Sequence, residues 1–204
     1  MNDNHCLKTE YIKENCKDYV LTMLEKIKKF SMETYTHSID VANKTLVLGK
    51  KLKLNKQDLI KLYTAGLMHD VGKLDLDINL LEKPKCTPED LAKIRIGHIE
   101  GTRKYLEGKV DDDICKIAYH HHEKLNGTGY PQGLKGEQIT KLDRILQICD
   151  LTSALSMQRS YRPKLESRTI DRILDNWVNV GELDKFYVNL AECTFINVDN
   201  EKIQ

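Results

Sequence analysis

The chain has 204 residues, with 32 Lys and Arg against 31 Asp and Glu and a formal net charge of +1. That balance excludes the global basic field that suits a long nucleic acid, although a local cluster of Lys and Arg can still hold a small anion. Hydrophobic residues at 40% and charged residues at 31% describe a globular protein, of a length for one domain with a small N-terminal addition.

The first residues, Met1 to Glu10, are polar and carry no apolar signal core. No run approaches the roughly 20 apolar residues needed to span a bilayer, so the expectation is a soluble, cytoplasmic protein with no membrane contact. Cys6, Cys16, Cys86, Cys115, Cys149 and Cys193 are scattered without a C-x-x-C pair. They read as free thiols of a reducing compartment.

In chain order, Tyr19, Met23, Leu24, Ile27 and Phe30 recur at spacings of three and four, which predicts an amphipathic helix. Ile39, Val41, Ala42, Leu46 and Leu48 predict a second. Asn55 to Asp58 reads as the cap of a third, running to about His69. Thr87-Pro88-Glu89-Asp90 is a stronger start signal, and the helix it opens should pass His98 towards Leu106. Asp111 to Asp113 can open the next, expected to carry His120, His121 and His122. Asn126 to Gly133 is dense in Gly and Pro and must be a loop. Leu142, Ile145, Leu146 and Cys149 mark a further helix ending near Leu155, and two more follow around 165–180 and 182–194. Strand-like alternation is scarce, so the expected fold is an all-α bundle. Residues 1–30 are expected as an N-terminal helical extension and 31–204 as the main domain.

Six of the seven histidines fall in clusters along this pattern: His37, His69 beside Asp70, His98, and His120-His121-His122, with Asp150 on a later helix. His5 reads as an ordinary exposed histidine. Imidazole and carboxylate together suit iron, manganese and zinc. On a helix His69 and Asp70 would project about 100° apart, so the pair could serve two directions of one site. Gly72 permits a close backbone path, and Lys73 offers a compact cation for a phosphate oxygen.

His69-Asp70-Val71-Gly72-Lys73 resembles the motif that names the HD phosphohydrolase superfamily. His121-His122-Glu123-Lys124-Leu125-Asn126-Gly127-Thr128-Gly129-Tyr130-Pro131 resembles the signature of its HD-GYP family. The resemblance runs from about Tyr35 to about Ala191. It implies an HD-domain helical bundle with a core site of two or three divalent metals, iron or manganese. The ligands it implies are His37, His69, Asp70, His98, His121, His122 and Asp150, with Asp70 bridging. His120 lies outside this pattern and reads as a flanking residue. Glu33, one helical turn before His37, is a candidate ligand of a third metal; the plain alternative is a solvated acid at a helix start.

The activity implied is hydrolysis of cyclic di-GMP to linear pGpG or GMP by a metal-bridging hydroxide. Asp70 and Lys73 would be the catalytic side chains, and Lys73, Gly129, Tyr130, Pro131, Arg159 and Arg162 would contact substrate. The alternatives are another cyclic dinucleotide, such as 3′,3′-cGAMP, or a nucleotide-binding signalling module without turnover. The partners expected are the cyclic dinucleotide and either a second copy in a homodimer or a signalling protein. Three positions depart from the family pattern. Ser153 replaces an acid and should weaken support around the site. Asp75 and Asp77 stand where Gly and Pro are common and could repel an anionic substrate or reshape the entrance.

Overall fold

The computed structural model describes residues 7–158 and 163–196. Every regular element within them is helical, and the one bridge between extended residues joins Asn126 and Lys135. Two short 3-10 turns, Thr9–Tyr11 and Glu14–Cys16, lead into α1 (Lys17–Phe30). There follow α2 (Met32–Lys51), α3 (Lys56–Met68), a 3-10 turn (Val71–Asp75), α4 (Ile78–Leu81) and α5 (Pro88–Leu106). After these come α6 (Asp112–Tyr119), the glycine-rich loop, α7 (Lys141–Ser156), α8 (Ser167–Asn179) and α9 (Lys185–Ala191).

The starts are set by side-chain caps that satisfy otherwise orphaned backbone donors. Ser31 Oγ accepts from Thr34 N at 3.2 Å, and Asn55 Oδ1 from Asp58 N at 2.9 Å. Thr87 with Asp90, and Thr140 with Asp143, form reciprocal capping boxes at α5 and α7.

Packing follows the apolar faces. In α1, Val20, Met23, Leu24 and Ile27 are buried in the same core as the rest of the bundle, each side chain worth about 1.5–3 kcal/mol of burial. Helix α2 packs on α1, α3 and α7; α6 packs on α3 and α5; α8 and α9 close over α7. Helix α5 lies against the Val71–Asp75 turn. Gly72 allows that approach, because a Cβ there would collide with the His98 carbonyl and the Thr102 amide.

Two local expectations need correction. Helix α3 stops at Met68 and α6 at Tyr119, so Asp70 and His121-His122 lie in the turns beyond helix ends rather than on helical faces. The cause is visible in the side chains. His69 Nδ1 lies 2.8 Å from Gly66 O, and His121 Nδ1 lies 2.7 Å from Ala118 O. Each imidazole folds back three residues onto a terminal carbonyl, a partner that helix ends leave available. Among the described residues no helix is long and apolar enough to cross a membrane. Cys16, Cys86, Cys115, Cys149 and Cys193 are free thiols.

Candidate metal centre

Five parts of the chain aim nitrogen and oxygen donors at one buried place. Helix α2 brings His37, the end of α3 brings His69 and Asp70, and α5 brings His98. The turn after α6 brings His121 and His122, and α7 brings Asp150. The donors fall into three overlapping groups, each with its ligand atoms within 4.8 Å of one another: His98, His121 and His122; His37, His69 and Asp70; and His69, His121 and Asp150. All seven residues implied by the family pattern are in these groups. Glu33 is in none of them, although it lines a neighbouring cavity with Lys73. His120 turns away, with Nδ1 3.5 Å from Asp143 Oδ1.

The hydrogen bonds set which ring nitrogen faces inward. His69, His98 and His121 each place Nδ1 on a backbone carbonyl, that of Gly66 at 2.8 Å, Ile94 at 2.6 Å and Ala118 at 2.7 Å. A carbonyl only accepts, so Nδ1 carries the proton and Nε2 presents its lone pair to the centre. His37 Nδ1 lies 3.0 Å from Ser153 Oγ, and its Nε2 lies 2.9 Å from Asp150 Oδ1. Ser153 therefore still orients His37, as a neutral group where an acid was expected.

Charge separates the cluster into two halves. Burial, and then the neighbouring His98, pushes His122 down to about 3. Burial likewise holds His121 well below its ordinary value and lowers His98. These three imidazoles are neutral at neutral pH. In the other half, burial works against charge, yet Lys73 and His69 hold the Asp70 carboxyl well below its usual range. The Asp150 carboxyl is lowered against burial too, by its bond to His37 and by His69. His69 is raised despite its burial, because Asp70 and Asp150 face it.

The donor set fits metal ions. The buried Nε2 atoms of His69 and His121 have no hydrogen-bond partner in the protein. A buried acceptor without a partner is costly, and a cation would satisfy both. Neutral imidazoles with ionised carboxylates suit iron, manganese or zinc. Protons on Nδ1 held by carbonyls are the support that ligating histidines ordinarily have.

Around this centre, Lys73 Nζ sits 2.6 Å from Asp70 Oδ2. The Tyr130 ring stacks on His122, with centroids 4.8 Å apart at 30°. Gly129 passes so close to the Glu123–Lys124 backbone that a Cβ would collide with it, and the Tyr130–Pro131 peptide is cis. Asp75 accepts from Tyr105 Oη at 2.7 Å and pairs with Lys104 at 3.0 Å. Asp77 caps α4 by accepting from Asn79 N at 2.9 Å. Both acids are thus engaged in holding local structure. Arg159 and Arg162 lie outside the described residues.

Two supporting residues escaped sequence reasoning. Thr102 Oγ1 accepts from Gly72 N at 3.1 Å and donates to His69 O at 2.9 Å, clamping both ends of the motif turn to α5. Only its spacing of four from His98 hinted at this. Glu123 is fully buried and accepts from Gln132 N at 2.6 Å and Leu134 N at 2.9 Å. An acid wedged between two ligand histidines and a glycine-rich loop was its signal.

An HD domain family model matches residues 17–176. A 3'3'-cGAMP-specific phosphodiesterase of Vibrio cholerae is 33% identical over 172 residues, 84% of this chain and 40% of that protein. A cyclic di-GMP phosphodiesterase of Pseudomonas aeruginosa is 32% identical over 159 residues, 77% of this chain and 38% of that protein. The chain thus spans about two fifths of the length of these relatives. Among solved structures, the HD domain of the L. monocytogenes phosphodiesterase PgpH in complex with cyclic-di-AMP superposes with a TM-score of 0.65 at 20% identity, over 90% of this chain and 97% of that one. An HDG"Y"P protein from Bdellovibrio bacteriovorus superposes with a TM-score of 0.63 at 22% identity, over 86% and 59%. At such identities these two likenesses concern the fold.

Proposed function

We propose that this chain, which belongs to the HD domain family, is a metal-dependent phosphodiesterase that opens a cyclic dinucleotide, cyclic di-GMP by first preference. The observation that carries the reading is the convergence of seven His and Asp donors around a buried His121 Nε2 that no protein group satisfies. The phosphodiesterase activities for which those relatives are named support the same reaction class. Because one of them is specific for 3'3'-cGAMP, that dinucleotide stands as the second reading.

His37, His69, Asp70, His98, His121, His122 and Asp150 would hold two divalent ions, iron or manganese. Glu33 would extend the set to a third ion, on the side of the cavity it shares with Lys73. Such ions lower the pKa of bound water from ~15.7 to ~7, which makes a nucleophile available at neutral pH, and they draw charge from phosphate oxygens. The chain's own residues do the rest. Lys73 Nζ donates to a non-bridging phosphate oxygen as negative charge grows there. Asp70, already ionised beside Lys73, holds that ammonium in place. Tyr130, Gly129 and Pro131 form the loop wall that positions the substrate, and Tyr130 keeps the His122 ring fixed by stacking. In the net reaction water adds across the P–O3′ bond, the new P–O bond forms as P–O3′ breaks, and the ribose 3′-oxygen leaves with a proton. Linear pGpG is the first product, and GMP follows from a second round.

The test is incubation of the metal-loaded protein with a panel of cyclic dinucleotides and identification of products. Linear dinucleotide or mononucleotide is the expected outcome. An intact panel alongside stoichiometric bound metal would reject the enzyme in favour of a binding module. Metal counting in Glu33→Ala against the parent decides the third ion, since equal stoichiometry discards it.

A further inference from the structure

Beyond His121 and His122 the centre opens into a cavity of about 300 Å³. Tyr130 forms the wall on the glycine-rich loop. Trp177 and Glu182, at the end of α8 and in the turn to α9, form another part of its wall. These parts are tied together. Leu125 N donates to Glu182 O at 3.0 Å, and Asn126 Nδ2 donates to Val180 O at 3.1 Å. Glu182 N in turn donates to Trp177 O at 2.9 Å, which fixes the two residues relative to each other. The Glu182 carboxylate is half-buried and held by Lys124, with Nζ 2.7 Å from Oε2. The shape is therefore built before any ligand arrives.

We propose that this cavity receives one purine base of the substrate and that Glu182 makes it select guanine over adenine. The inference rests on the cyclic dinucleotide reading and adds the base to it. Its volume is at the lower end of ligand pockets, about 300–1,000 Å³, which suits one base and not a whole cyclic dinucleotide. Trp177 supplies the flat aromatic face on which a base stacks, a contact that every base can make and that carries affinity without choice. The choice comes from Glu182. Guanine presents two adjacent donors, N1–H and the N2 amino group, which match the two oxygens of a carboxylate. Adenine presents one donor, N6–H, beside the N1 lone pair, which a carboxylate repels. A carboxylate has about four lone-pair positions, so Oε2 can serve Lys124 and the base together. Binding adenine would bury that acceptor without its second partner, the arrangement that produces strong discrimination. Because His121 and His122 line the same cavity, a base seated there places its own nucleotide's phosphate beside the metal centre.

Trp177 is the one tryptophan of the chain, so its fluorescence reports stacking without any need for turnover. The 204-residue chain is titrated with GMP and with AMP, excited at the red edge of the tryptophan band where the bases do not absorb. Saturable quenching by GMP, about tenfold tighter than by AMP, is expected. Glu182→Gln should remove that preference, and should raise KM about tenfold for cyclic di-GMP and 3′,3′-cGAMP while leaving cyclic di-AMP unchanged. If GMP and AMP quench equally, or neither quenches, while the protein cleaves cyclic di-GMP, the base pocket is overturned and the phosphodiesterase reading stands. If GMP is preferred but no cyclic dinucleotide is cleaved, the pocket holds and the activity fails. The comparison of GMP with AMP in the parent protein decides the matter even if the Glu182 variant does not fold.

Discussion

His98 and His122 face each other through their Nε2 atoms, 3.0 Å apart. His98 Nδ1 lies 2.6 Å from the Ile94 carbonyl, so its Nε2 is the unprotonated one, and burial followed by His98 itself pushes His122 down to about 3. A neutral His122 can donate Nε2–H to that lone pair, whereas the His121 Nε2 beside them is buried with no partner. That orphaned acceptor is consistent with a place shaped around a cation.

Asp70 is central to its half of the cluster, lying 3.3 Å from His69 Nε2, 3.9 Å from His37 Nε2 and 2.6 Å from Lys73 Nζ. Asp70→Ala should lower bound metal and reduce turnover at least about 100-fold. Elemental analysis of the purified variant, together with product formation, checks this. Full activity would reject the site.

Lys73→Ala should leave the metal content unchanged and slow turnover about 100-fold, the scale of losing one donor to a developing negative charge. Loss of metal together with activity would instead make Lys73 a structural partner of Asp70.

Glu123 holds the glycine-rich loop by accepting two backbone donors. Glu123→Gln keeps the shape but offers one acceptor oxygen, so one part-buried loop amide loses its partner at a cost of about 1 kcal/mol. Thermal unfolding should drop by about 2–4 °C for each kcal/mol. KM should rise and kcat fall together, because the loop borders the substrate and also carries Tyr130, which stacks on His122.

Glu192, remote from the centre, gives a pH signature. Burial and then Asp171 and Asp175 raise it to about 7. A carboxyl raised on folding binds its proton more tightly in the native state, so its stabilising effect is complete below the unfolded value and disappears as pH rises through about 7. Glu192→Gln should therefore leave the unfolding temperature unchanged near pH 4 and raise it above pH 7. The rise should be small, about 2 °C, since the group is part-exposed and solvent screens it. An equal shift at both pH values would show that the charge is not the cause.

Much of this was legible in the chain alone. The helices announced themselves by apolar spacing and by caps at Asn55 and Thr87, which are local signals. The ligand types were legible because few chemistries ask for His69-Asp70 and His121-His122 in one chain. Trp177 and Glu182 were not legible. Neither has a partner within its own stretch that hints at a pocket, and both take their meaning from Leu125 and Asn126, more than fifty positions earlier.

The sequence by itself determined the helical class and the chemical inventory of the centre, because helix periodicity, capping and ligand identity are properties of residues near one another in the chain. Tertiary structure alone decided that Ser153 and Asp150 of α7 meet His37 of α2, at 3.0 and 2.9 Å, and that His122 meets His98. The rings of His69, His98 and His121 rest instead on carbonyls three or four residues earlier, a local arrangement. Contacts across the bundle are set by how whole helices pack and not by any local run of residues.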